Sequence, residues 1–380
     1  MPQAVLFILA LAFALGTVAT FLARALGHRL NALDGPGVAG QVKAATRRVP
    51  NTGGIGIFAA IALPMAAGLL AINSPLADRV VEVFPALAVH LKGIASQTIA
   101  AAVLLAALTI VHVMGVIDDR RPLGATFKLV VMLAVATGLT LATQTRLLSF
   151  LDAWPGGSVV SILATVLWIV VVTNAINFID NMDGLSGGVA AIAASCFLAA
   201  TLVNGQWFIA VMLALLVGAL LGFLVFNFPR RADGGGTVFM GDGGSLVVGL
   251  LLAFLTVRTT YIHPATDAIP GSGAWYAVLM PLVVLAVPLY DFASVVIIRL
   301  RQGRSPFVGD LQHLSHRLVR RGLSRRDAVI TIYGLTGITS IGGIALGSLA
   351  PYQAVLVGVQ TVLVLLVLAL YEGRATSAST

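Results

Sequence analysis

Long apolar runs broken by few charges constrain this chain more than any other feature. A crossing of the hydrocarbon core takes about 20 apolar residues, and eleven stretches of that kind can be marked, near 4–24, 53–73, 95–117, 126–142, 158–177, 184–203, 207–227, 243–258, 274–298, 328–349 and 351–371. The fourth and eighth are short. Only 10% of the 380 residues are charged and 58% are hydrophobic, where a soluble domain carries about a quarter charged. The runs are solidly apolar, whereas barrel strands alternate polar and apolar residues. The expected fold is therefore an all-α, polytopic membrane bundle of about eleven helices, in one domain over 1–380. The first run, "VLFILALAFALGTVATFLARAL", lacks a basic start and reads as a retained helix rather than a cleaved signal. The single cysteine, Cys196, lies mid-span, which excludes disulfides and cysteine-based metal sites.

Taking the loops alternately gives two unequal faces. One holds Arg24, Arg29, Lys43, Arg47, Arg48, Arg120, Arg121, Lys128, Arg230, Arg231, eight arginines between 299 and 326, and Arg374. The other holds Arg79, Lys92, Arg146 and Arg258. The positive-inside rule makes the first face cytoplasmic, with the N-terminus outside and the C-terminus inside. This accounts for the net charge of +8 with no call for nucleic acid. Asp118, Asp119, Asp180, Asp183, Asp233, Asp242, Asp310 and Asp327 follow the same face. Only Asp78, Glu82, Asp152 and Asp267 lie clearly on the other, and Asp291, inside the ninth span, must be buried. A chain with its polar residues gathered on one side works at that side, through loops near 25–52, 118–128, 178–184, 228–243 and 299–327.

Four stretches there carry chemistry. In "GVIDDRRPLGATFK", Asp118 and Asp119 emerge together and Lys128 follows ten residues later. Adjacent carboxylates need a shared proton or cation, and pairing with Arg120 and Arg121 is the plain alternative. In "NAINFIDNMDG", Asn174, Asn177 and Asn181 share a helical face, while Asp180 and Asp183 turn away from it. The helix is expected to open near Phe178, and no Lys or Arg lies between Arg146 and Arg230 to neutralise these acids. Acids beside lipid without a basic neighbour mark functional sites, the alternative being a polar hairpin with helix caps. In "VFMGDGGSLVVG", Asp242 is presented from glycines at a helix N-terminus, which suits a metal with a phosphate or a simple cap. In "SPFVGDLQHLSHRLVRRGLSRRDAV", His313 and His316 stand three apart beside Arg317, Arg320 and Arg321, a candidate anion clamp. The distal arginines suit anionic lipid heads instead. Carboxylates and amides without thiols select a hard cation, Mg²⁺ or Mn²⁺. A phosphate-and-metal site at the bilayer edge implies a polar phosphorylated donor meeting a lipid acceptor.

These residues, with "LDGPG…RRVPNTGG" and "FNFP…VFMGDGGS", resemble the polyprenyl-phosphate N-acetylhexosamine-1-phosphate transferases, in family order across most of the chain. The resemblance implies transfer of a sugar 1-phosphate from a UDP-N-acetylhexosamine to undecaprenyl or another polyprenyl phosphate, with release of UMP. This would be the first membrane step of a cell-envelope glycan. It implies that Asn177 and Asp242 hold Mg²⁺, and that Asp118 deprotonates or orients the lipid phosphate with Asp119 and Lys128 beside it. It also implies a uridine pocket of Asp183, Gly184, Leu185, Asn227 and Phe239, the last stacking on uracil, with His313 and His316 near the pyrophosphate. Asp180 and His316 count with Asp118 and Asp119 as catalytic, and Arg317 with His313 as substrate-binding. Ser315 stands where the family has a third histidine, Asn181 replaces a glycine, and "RRADGGG" is an insertion. The histidine stretch is similar to that of the N-acetylglucosamine branch, the alternative being the phospho-N-acetylmuramoyl-pentapeptide transferases. An ion-coupled transporter is the alternative of another class; it predicts polar residues near mid-span and repeat symmetry, whereas this chain has its acids at cytoplasmic span ends and no visible repeat. Membrane lipids are expected partners, with a homodimer left open.

Overall fold

The computed structural model describes residues 1–33, 47–75, 77, 79, 82, 85–230, 235–259, 279–305, 311–346 and 349–373. Asp233, Asp267, Asp310, Lys43, Arg231 and most of "LDGPG" and "SPFVGD" lie outside the described residues. The described chain is helical, its one β-bridge joining Leu33 to Pro50. Eight long helices come first: α1 (Pro2–Arg29), α2 (Gly53–Ile72), α3 (Thr98–Asp118), α4 (Ala125–Thr143), α5 (Gly157–Ile179), α6 (Leu185–Val203), α7 (Trp207–Asn227) and α8 (Asp242–Thr259). They are followed by α9 (Met280–Val284), α10 (Ala286–Arg301), α11 (Leu314–Arg320), α12 (Arg325–Ile344) and α13 (Pro351–Gly373).

Ten of these helices are long and apolar enough to cross a membrane, one fewer than the sequence suggests. The ninth stretch is the difference: it is broken at Leu285 into α9 and α10. Pro288 has no N–H to return to Val284, and Ser340 Oγ donates to that carbonyl instead, at 3.3 Å. A proline break inside a membrane is tolerated where a neighbouring hydroxyl takes up the freed group.

The bundle is organised around α8, which packs against α2, α3, α5, α6 and α7. Of its eighteen residues, fifteen are buried, from Gly243 to Val257. Its shortness in the sequence is thus the mark of a central helix. At the other extreme, α13 exposes Val355, Val359, Val362 and Leu366 along its length. Small residues bring the first turn of α8 against its neighbours. A Cβ added at Gly54 would lie 2.3 Å from the Gly244 nitrogen, and one at Gly115 would lie 2.5 Å from the Asp242 carbonyl. Close backbone approach of this kind is how helices associate in lipid, where no hydrophobic force drives them together. Gly115→Ala should therefore lower the unfolding midpoint in detergent, by the equivalent of about 1–3 kcal/mol for an overpacked contact. An unchanged midpoint would show that α3 and α8 are not held this closely.

Candidate active site

The first turn of α8 meets the ends of α3 and α5 and the start of α4 at one end of the bundle. Lys128, in the first turn of α4, donates to Asp118 Oδ2 at 2.8 Å and to Asp242 Oδ2 at 2.9 Å. The second oxygen of Asp118 accepts from the Leu123 amide at 2.8 Å. Asn177 Nδ2 donates to Asp242 Oδ1 and to Ser245 Oγ, both at 2.9 Å. Four of the predicted residues, from four helices, are thereby joined through one lysine and one aspartate. The cation for Asp118 is Lys128, not Arg120 or Arg121, which are exposed.

Asp119 behaves differently from its neighbour. Its carboxylate accepts from the backbone amides of Asp242 at 2.9 Å and Gly243 at 3.2 Å, and from Asn51 Nδ2 at 3.0 Å. It caps α8, whose first amides have no partner within the helix. Gly241, at φ +70°, lets the chain turn here, since a Cβ would sit 2.5 Å from Asp119 Oδ2. Burial, then the Asp242 charge, pushes the Asp119 carboxyl up to about 7 against those hydrogen bonds.

Helix α5 ends at Ile179, near Phe178 as expected, and Asp180 follows as its cap residue. The Asp180 carboxylate has no hydrogen-bond or ion-pair partner among the described residues. Burial first, then the charges of Asp242, Asp119 and Asp183, raises it well above the usual carboxylate range. Among the described residues, Lys128 pairs with Asp118 and Asp242, while Asp119 and Asp180 lie close enough to feel the Asp242 charge. This excess of acid is what a bound cation would relieve. Among the described residues no three His, Cys, Asp or Glu side chains form a metal cage. A sparse donor set nonetheless fits Mg²⁺, which binds through one or two carboxylates and keeps water and substrate phosphate as its other ligands. The Asn177 amide can be turned end for end. Its oxygen would then oppose Asp242 Oδ1, an arrangement that a cation between them stabilises.

The second half of the "NAINFIDNMDG" stretch finds its base from far along the chain. Arg47 donates to Asp183 Oδ2, which also accepts from the Gly236 amide at 3.0 Å. The same guanidinium donates to the Gly236 carbonyl and lies 5.5 Å from the Phe239 ring centroid. The absence of Lys and Arg near residue 183 in the sequence is made good by a loop 136 residues away. Gly236, at the end of the insertion, thus belongs to the site. Asn227 and Gly184 serve the backbone: Asn227 Oδ1 accepts from Gly184 N at 2.6 Å, its Nδ2 donates to the Val238 carbonyl at 2.8 Å, and Tyr333 donates to the Gly184 carbonyl. Each end of the Asn227 amide thus makes one main-chain hydrogen bond, leaving one N–H and one oxygen lone pair for a ligand. The Leu185 side chain is core, buried beside Val189, Leu314 and Ile332. Phe239 remains half-buried at the edge of this pocket.

The histidine stretch divides in the same way. Buried Asp291 accepts from the Leu314 amide at 2.6 Å and pairs with His313 Nδ1 at 2.9 Å, so one His313 nitrogen is taken. An ionisable residue inside a span is a signal in itself, and it identified Asp291 as buried without identifying its partner. Burial, followed by the charges of His313, Arg320 and Arg325, lowers His316 to about 4. It is a neutral ring at neutral pH and no cationic clamp. Arg317 is also withdrawn from that clamp: its Nε lies 2.9 Å from Glu372 Oε2, and it donates to Ser294 Oγ at 2.8 Å and to the Gln312 carbonyl. The two departures from the family pattern meet each other, Ser315 Oγ donating to Asn181 Oδ1. Arg47, Asn51 and Ser245 carried no signal in the sequence beyond lying on a motif, and Tyr333 and Glu372 lie outside the motifs altogether.

Known proteins resemble this chain over much of its length. The family model described as glycosyl transferase family 4 matches residues 101–260, which span α3 to α8. A protein of Bacillus subtilis (strain 168) named "Probable undecaprenyl-phosphate N-acetylglucosaminyl 1-phosphate transferase" is 30% identical over 344 residues, 87% of this chain and 82% of that protein. A decaprenyl-phosphate N-acetylglucosaminephosphotransferase of Mycobacterium tuberculosis (strain ATCC 25618 / H37Rv) is 34% identical over 66% of this chain and 64% of its own length. An undecaprenyl-phosphate alpha-N-acetylglucosaminyl 1-phosphate transferase of Escherichia coli (strain K12) is 27% identical over 61% of this chain and 62% of its own. The match spans most of the Bacillus protein and a little under two thirds of the other two.

Proposed function

This chain belongs to glycosyl transferase family 4, and on that footing we propose that it moves N-acetylglucosamine 1-phosphate from UDP-N-acetylglucosamine to a polyprenyl phosphate, releasing UMP. The observation that carries the reading is the joining of Asp118, Lys128, Asn177 and Asp242 at the head of α8, at 2.8–2.9 Å. A phosphate oxygen of the lipid forms a bond to the sugar-bearing phosphorus. The bond from that phosphorus to the bridging oxygen breaks, and UMP takes the electron pair. Mg²⁺, held by Asp242 and Asn177, would neutralise the pyrophosphate and stabilise the leaving group.

The residues divide the remaining work. Lys128 holds Asp118 and Asp242 in register and offers its ammonium to incoming phosphate. Asp180, which has no hydrogen-bond or ion-pair partner among the described residues and is made a stronger base by burial, accepts the last proton of the lipid phosphate. Asp119 is a positioning residue that aims the first turn of α8. Asp183 and Phe239 receive the uridine, which displaces Arg47 from between them. His316, neutral, donates one hydrogen bond to the pyrophosphate. The arginine asymmetry supports a cytoplasmic site face, with the N-terminus outside and the plasma membrane as the location. Membrane lipids surround the exposed faces of α1 and α13.

The donor provides the test. Detergent-solubilised protein should release UMP from UDP-N-acetylglucosamine only when polyprenyl phosphate and Mg²⁺ are added. UDP-muramoyl-pentapeptide should be refused, because unpaired peptide groups in a pocket without partners cost about 1–3 kcal/mol each. Efficient use of the pentapeptide donor alone would move this chain to the other branch of the family.

A further inference from the structure

Helix α11, which carries His316, has seven residues. Helices this short do not hold their shape unaided, so their neighbours decide where they point. At its start, Asp291 holds the Leu314 amide and His313. At its end the support comes from the last turn of α13, more than fifty residues further on. Glu372 Oε2 faces Arg317 Nε at 2.9 Å and accepts from Tyr290 Oη at 3.2 Å. Arg321 donates to the Glu372 carbonyl and lies 5.0 Å from the Tyr371 ring centroid. The Arg317 and Glu372 side chains are only 10% and 9% exposed. Leu368, one turn earlier, is buried in the cluster that contains Leu314 and Leu318.

Much of the rest of α13 is exposed and apolar, Val355, Val359, Val362 and Leu366 among it, so this buried polar contact stands out. A carboxylate buried at the end of such a helix is unfavourable unless a partner compensates it. We infer that the last turn of α13 is a clasp that fixes α11, and that Glu372 is a positioning residue for transfer, acting through Arg317 on the helix that presents His316. Arg317 therefore transmits position and does not bind the donor. The kinetic consequence rests on the transferase reading; the clasp itself does not.

Glu372→Gln keeps the shape and the Tyr290 contact but removes the charge facing Arg317, and Glu372→Ala removes all of it. In the full-length protein in detergent, hydrogen exchange over 311–323 should quicken by about tenfold or more in the alanine variant, as in a local opening. It should quicken less in the glutamine variant and be unchanged in α5 and α8. The kcat for UMP release should fall about ten- to hundredfold, as expected for a displaced group, with KM for UDP-N-acetylglucosamine nearly unchanged. Unchanged exchange in α11, or faster exchange spread evenly over all helices, overturns the clasp. A loosened α11 with full kcat overturns the positioning role. If the wild-type protein transfers no sugar phosphate, the exchange result still decides the clasp.

Discussion

Asp242→Asn is expected to reduce transfer by about three orders of magnitude, the upper range for losing one preorganised electrostatic contact, in a protein that still folds. The cap on α8 is made by Asp119 to the main-chain amide of residue 242, so it survives any change of the 242 side chain. Asparagine also keeps the volume and one oxygen. What disappears is the charge that attracts Lys128 and, in the proposed mechanism, the cation shared with Asn177. Excess EDTA should silence the wild-type enzyme to a similar degree, and added Mg²⁺ should restore it but not the variant. Assays of UMP release across a Mg²⁺ titration, with size-exclusion profiles of both proteins, measure this. Full turnover in EDTA, or in the variant, would refute the metal assignment.

Lys128→Met should act on the same cluster with the opposite sign toward the metal. The ammonium lies between Asp118 Oδ2 and Asp242 Oδ2, and its loss leaves two carboxylates facing each other. Without Mg²⁺ the variant should be less stable by roughly 1–3 kcal/mol, the range for a part-buried charged contact. Mg²⁺ should bind it more tightly, because the local field becomes more negative, and should recover part of the lost midpoint. Turnover should stay about a hundredfold low, since a metal in the lysine's place does not orient the lipid phosphate. A variant with wild-type kcat and unaltered Mg²⁺ response would remove Lys128 from the site.

The two variants depend on contacts that differ in how far they could be read in advance. Asp118 and Lys128 are ten residues apart at the junction of two apolar runs, near enough for their pairing to be anticipated. Asp183 and Arg47 are not: the acid looks unpartnered between Arg146 and Arg230, and its base arrives from the loop before α2. Asp118 and Asp119 are neighbours of identical chemistry, yet one binds an ammonium and the other caps a helix. That difference depends on where α8 begins in space, which the sequence around them does not encode.

The amino-acid order by itself determined the class of fold, the number of apolar runs, the gathering of polar residues toward one side and the motifs that identify the chemistry. These are properties of composition and spacing, and the hydrocarbon core enforces them on any chain that crosses it. The tertiary structure alone decided that α8 is central and α13 peripheral, that Arg47 serves Asp183, and that Arg317 pairs with Glu372. In water an apolar stripe shows which helical face is buried. In lipid the exposed face is as apolar as the packed one, so uniformly hydrophobic helices carry no such stripe, and only close packing between small residues selects their neighbours.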